Sequence, residues 1–161
     1  MTAGDDTMTR ITAAIELGRK GQKADARDLL DAIWAEVGPE GDPFHRCVLA
    51  HYQADLQDST ADELLWDQRA LDAVAGLTDA RAQAYDASLQ VQGFLPSLHL
   101  NLADDYRRLG NSDLARQHLT TARALIDQLP EGPYRGVVQS GLSHVADALD
   151  AGSTEALPTA H

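Results

Sequence analysis

Apolar residues recur at intervals of three and four along most of the chain, and no stretch alternates apolar and polar positions as a half-buried strand would. The clearest run is Ser97–Leu125. Leu102, Ala103 and Tyr106 share one face of a predicted helix, and Gly110 follows as a residue free to turn left-handed and end it. Asn111 or Ser112 can cap the next helix, in which Ala115, Leu119 and Ala122 repeat the spacing. Alanines at 103, 115 and 122 let two antiparallel helices approach closely, while Leu102, Tyr106 and Leu119 fill the seam.

The same reading gives helices elsewhere. Thr9 begins a helix with Ile11, Ala14, Ile15 and Gly18 on one face, and Gly21 ends it. Ala24–Val37 is the second helix, closed by the loop Gly38-Pro39-Glu40-Gly41-Asp42-Pro43. Phe44–Leu56 and Ala61–Ala75 form another pair, joined by Gln57-Asp58-Ser59-Thr60 in place of a turn glycine. Asp79–Gln92 is an extra short helix with Ala82, Tyr85 and Leu89 inward, and Pro96 suits the first turn of the helix after it. Gly136–Leu149 closes the pattern with the stripe Val138, Leu142, Val145 and Leu149. Residues 1–8 and 151–161 read as flexible polar tails around one domain at 9–150. The fold class is all-α.

One numerical coincidence organises these helices. Ala14, Leu17, Gly21, Ala26, Leu30 and Ile33 correspond, at a constant offset of 89, to Ala103, Tyr106, Gly110, Ala115, Leu119 and Ala122. Two hairpins in one register, turn glycine included, argue for a duplicated unit. The pattern resembles the tetratricopeptide repeat, most closely through Leu102, Ala103, Tyr106, Gly110, Ala115, Leu119 and Ala122. The resemblance implies antiparallel hairpins stacked as a short right-handed superhelix, with Gly136–Leu149 as a C-terminal capping helix. It also implies a concave groove, lined by the first helix of each hairpin, that binds a protein or peptide without chemistry or cofactor. The groove positions it implies are Arg46, Gln53, Asn101, Asp104, Arg107, Arg108 and His144.

Composition narrows the partners. A net charge of −12 over 161 residues repels phosphate backbones, so nucleic acid is not an expected ligand. No apolar run approaches the roughly 20 residues that span a bilayer, and the N-terminus has no apolar leader. The single Cys47 gives no intramolecular disulfide and fits a cytoplasmic setting without membrane attachment. Short repeat stacks leave apolar ends, so homodimerisation is a second outcome.

Candidate chemistry is sparse. Cys47, His51 and Asp55 lie four apart on one predicted helix, which admits a metal-dependent sensor or a nucleophile pair, but no HExxH, CxxC or HxxxH completes a metal site. The expectation is therefore no metal, no cofactor and no enzyme. Asp104-Asp105-Tyr106-Arg107-Arg108 fans around its helix, with Arg108 four residues after Asp104, as solvated charge pairs or as ligand contacts through Arg107 or Arg108. Under the groove reading, reversing both arginine charges abolishes binding and leaves thermal unfolding nearly unchanged.

Overall fold

The computed structural model describes residues 3–86 and 91–157, and among these it contains helices and no strand. In chain order the helices are α1 (Ala3–Arg19), α2 (Lys23–Val37), α3 (Pro43–Asp55), α4 (Thr60–Val74), α5 (Asp79–Tyr85), α6 (Val91–Arg108), α7 (Ser112–Ile126) and α8 (Pro133–Asp150). They fall into two compact units, Met1–Ser88 and Leu89–His161.

In the first unit α1 packs on α2 and α3 on α4, and α3 also lies against both α1 and α2. Ile11, Ala14, Ala26, Leu30 and Ile33 are fully buried between them. Asp42 starts α3 by accepting from the Phe44 N–H at 2.9 Å, with Pro43 at the first helical position, where a missing N–H costs nothing. The α3–α4 turn has no glycine; Ser59 caps α4, and Arg27 of α2 reaches the Asp58 carboxylate at 2.8 Å. Trp34 of α2 meets Trp66 of α4 edge-on, with ring centres 5.1 Å apart, which places the two tryptophans in packing between the hairpins.

In the second unit α6 packs on α7, and α8 covers both. Its core is Leu100, Ala103, Ala115, Leu119 and Ala122 from the hairpin and Val138, Leu142, Val145 and Leu149 from α8. The stripe read on the closing helix is therefore its buried face.

The turns of the two hairpins close with the same backbone bonds. Gly21 and Gly110 have φ of 86° and 83°, in the left-handed region. Gly21 donates to Gly18 O and Gln22 to Leu17 O; at an offset of 89, Gly110 donates to Arg107 O and Asn111 to Tyr106 O, all within 2.8–3.1 Å. The first bonds of the following helices correspond too, Ala26 N–H to Gln22 O and Ala115 N–H to Asn111 O. Ala14, Ala26, Ala103 and Ala115 are all at 0% exposure. A larger side chain at any of them would push the helices apart, so the small residues set the spacing of both seams.

Several boundaries differ from the sequence reading. Helix α1 starts at Ala3 and buries Met8, so residues 3–8 are not a tail; acidic residues suit a helix N-terminus even without apolar periodicity. Helix α5 ends at Tyr85, and Leu89, expected to face inward, lies outside the described residues. Helix α6 begins upstream of its expected start and carries Pro96 inside it. In the same stretch the Tyr134 hydroxyl donates to Gly93 O at 2.6 Å. Lastly, Ser153–Leu157 is anchored: the Ser153 N–H bonds Ala148 O, two of the segment's carbonyls accept from Arg107, and Leu157 packs against the core. The end of the expected C-terminal tail, 158–161, lies outside the described residues.

Candidate functional site

Asp104, Arg107 and Arg108 gather on α6 with Asp105 into one network. Asp104 is 1% exposed, Asp105 0% and Arg107 2%. Asp104 Oδ1 accepts from Arg107 Nε at 3.0 Å and from an Arg107 terminal nitrogen at 2.7 Å. The other Asp104 oxygen accepts from Arg108 Nε at 3.1 Å, and Arg108 also reaches Asp105 Oδ1 at 3.0 Å. Helical spacings of three and four bring these pairs together, as the charged run allows. What the run does not reveal is the burial. In a desolvated site each guanidinium and carboxylate depends on its partner, because an isolated buried charge costs several kcal/mol, on the order of 3–5 when one partner is removed.

Arg107 also leaves its own helix. One terminal nitrogen donates to Ser153 O and the other to Glu155 O, both at 2.8 Å. The guanidinium thus spans α6 and the segment after α8. Charge reversal here would set a carboxylate against Asp104 in a buried site, so it costs stability, unlike the neutral effect on unfolding that a solvated groove implied.

The other groove positions are placed differently. Asn101 is buried on α6 and His144 is exposed on α8. Arg46 and Gln53 belong to the first unit. The Arg46 guanidinium lies 4.2 Å from the centre of the Trp34 ring and donates to Gly38 O. Gln53 is buried and donates to Asp31 Oδ1 at 2.6 Å and to Arg27 O at 3.2 Å. Within each unit, then, most of these polar side chains bond to the protein, and His144 is the one that stands in solvent.

Two arrangements escaped the sequence reading. Arg81 of α5 bonds Asp42 at 2.7 Å and lies 4.9 Å from the centre of the Phe44 ring, which fastens α5 to the start of α3. In the second unit His99 of α6 and His118 of α7 face each other, Nδ1 to Nδ1 at 3.0 Å, and Tyr106 stacks on His118 with ring centres 5.5 Å apart. The histidines are far apart in sequence, and only the hairpin seam brings them together.

At least one ring of the His99–His118 pair is neutral, since a nitrogen must accept the hydrogen bond. Burial and then the neighbouring His118 charge hold His99 below the ordinary value of 6.5, and burial lowers His118 as well. Both histidines therefore bind protons more readily in the unfolded chain. Stability from the pair is present above pH 6.5 and is lost as pH falls through the lowered native values. Urea unfolding between pH 7.5 and 5.5, a window of about one unit either side of that value, is expected to show falling stability. His118→Gln should flatten the slope; an unchanged slope in that variant would contradict the assignment.

Cys47 is 2% exposed, and burial pushes its thiol up to about 12. A thiol held protonated is a poor nucleophile and a poor metal ligand. His51 packs edge-on against Tyr52, with ring centres 5.3 Å apart. Cys47, His51 and Asp55 are not among the described side chains whose ligand atoms cluster closely enough to hold a metal ion.

No helix among the described residues is long and apolar enough to cross a membrane. Comparison of the chain with protein-family models, with curated proteins and with solved structures found no match.

Proposed function

We propose that the chain is a non-catalytic helical-repeat module, tetratricopeptide-like in kind, that binds a protein or peptide partner in the cytoplasm. The observation that carries this reading is the duplicated hairpin, closed twice by the same backbone bonds and the same buried alanines. Such a unit holds the faces of its helices in fixed positions before contact, so little ordering entropy is lost on binding. The protonated Cys47 thiol supports a role without nucleophilic chemistry. A net charge of −12 favours neutral or basic partner segments over acidic ones.

A photo-crosslinking residue at His144, exposed on α8, tests this reading against a control at Gln117, exposed on α7. The expected result is one protein, identified by mass spectrometry, joined at 144 in preference to 117. Equal capture at both positions, or none, would contradict it.

Self-association is the second reading, favoured by Tyr134 and Val137, three residues apart on α8 and exposed at 45% and 60%. In that case the protein joined at 144 is a second copy of this chain.

A further inference from the structure

The hairpin does not need an arginine where Arg107 stands. Its counterpart 89 residues earlier is Gly18, and that hairpin closes with the same hydrogen bonds. There the space is taken by Leu56, whose terminal carbon would lie 3.0 Å from an added Cβ. Arg107 is thus an addition to the shared unit, and it engages the protein main chain.

The manner of engagement is that of a peptide site. The guanidinium donates to two carbonyls two residues apart, Ser153 O and Glu155 O, both at 2.8 Å. The segment bends at Glu155, and both carbonyls reach the one guanidinium, which suits a planar two-pronged donor. Asp104 braces the fork from behind through two of its nitrogens. The held segment is neither helix nor strand, and its Thr154, Glu155 and Ala156 side chains are exposed. Leu157 alone turns inward, against the α6–α7–α8 core. Recognition therefore runs through backbone oxygens and one apolar side chain, which many sequences can satisfy. Carboxylates of Asp104 and Asp105 balance the Arg107 and Arg108 charges, so the site suits uncharged main chain better than an anion.

We propose that Arg107 and the neighbouring core surface form a binding site for a bent, non-helical peptide segment presenting two carbonyls two residues apart and then an apolar side chain. Residues Ser153–Leu157 fill it in cis as a displaceable strap. The proposal rests on the peptide-binding reading above and adds its ligand class and its regulation. A tethered segment competes at a high effective concentration, so a partner gains the site only by outbinding the strap or when the strap is loosened.

The test uses the full chain and a capped, fluorescein-labelled peptide of residues 151–157, Ala-Gly-Ser-Thr-Glu-Ala-Leu. Anisotropy should show Leu157→Asp binding this peptide at least about tenfold more tightly than the parent chain, since the tethered competitor is weakened. Adding Arg107→Lys, which keeps the charge but loses the two-pronged geometry, should remove that binding while circular dichroism reports an intact helical fold. In the isotope-labelled parent chain, excess unlabelled peptide should shift the methyl resonances of Leu157, which packs against the α6–α7–α8 core when the strap is seated. This last measurement needs no variant and decides the matter should Leu157→Asp fail to fold. Equal peptide binding by parent and Leu157→Asp, binding by neither, or unchanged Leu157 methyl resonances under excess peptide would overturn the strap. Capture of a partner at position 144 alongside those results would sink this proposal and leave the broader binding role standing.

Discussion

Arg107→Ala is expected to destabilise the second unit by about 3–5 kcal/mol, the range for breaking a buried ion pair from one side. The Asp104 carboxylate, 1% exposed, would keep Arg108 at 3.1 Å but lose the two bonds to its other oxygen. The Ser153 and Glu155 carbonyls would lose their donors as well, so the cost is not confined to α6. Urea unfolding followed by circular dichroism measures it. The double variant Asp104→Leu plus Arg107→Leu should recover part of the loss, because removing both charges leaves no unpaired ion in the site. A loss within about 0.5 kcal/mol for Arg107→Ala, the range of ordinary surface substitutions, would mean that the arginine is solvated and the network immaterial.

Leu30→Ala and Leu119→Ala form the second test. Each deletes a core side chain at the same position of its hairpin, the first at 0% and the second at 3% exposure. Each is flanked by equivalent alanines, Ala14 and Ala26 for one, Ala103 and Ala115 for the other. Removing a leucine from such a seam costs about 2–5 kcal/mol, through lost transfer energy and the cavity left behind. Both variants should fall in that range in urea titrations. One variant near zero would show that the two positions are not equivalent and that the shared numbering is accidental.

The hairpins were legible because their constraints are local. A turn that needs positive φ asks for glycine, and a close seam asks for alanine, so Gly21, Gly110, Ala26 and Ala115 mark the fold directly in the sequence. Caps were legible for the same reason, as with Asn111, whose side chain accepts from the Leu114 N–H at 3.2 Å. Pro96 misled because a proline favours a first turn, whereas here α6 begins earlier and the Tyr134 hydroxyl binds a carbonyl nearby.

The candidate site was less legible. Asp104 and Arg107 were singled out, but charge spacing carries no information about burial, and the run reads as solvated when its surroundings are unknown. The acceptors for Arg107 lie 46 and 48 residues away and are backbone oxygens, which every residue possesses. No residue type marks them. Similarly, His99 and His118 meet only because the Gly110 turn folds α7 back on α6. Arg81 and Asp42, 39 residues apart, escaped for the same reason.

Residue-resolved amide exchange of the native chain tests the duplicated hairpin most directly. The Gln22 and Asn111 amides, each bonded to a carbonyl five residues back, should both exchange far more slowly than in urea-unfolded protein, as should Ala26 and Ala115 one turn later. Unprotected exchange at either member of the Gln22–Asn111 pair would show that one of the two turns does not close, and that the chain holds one such unit where two are described.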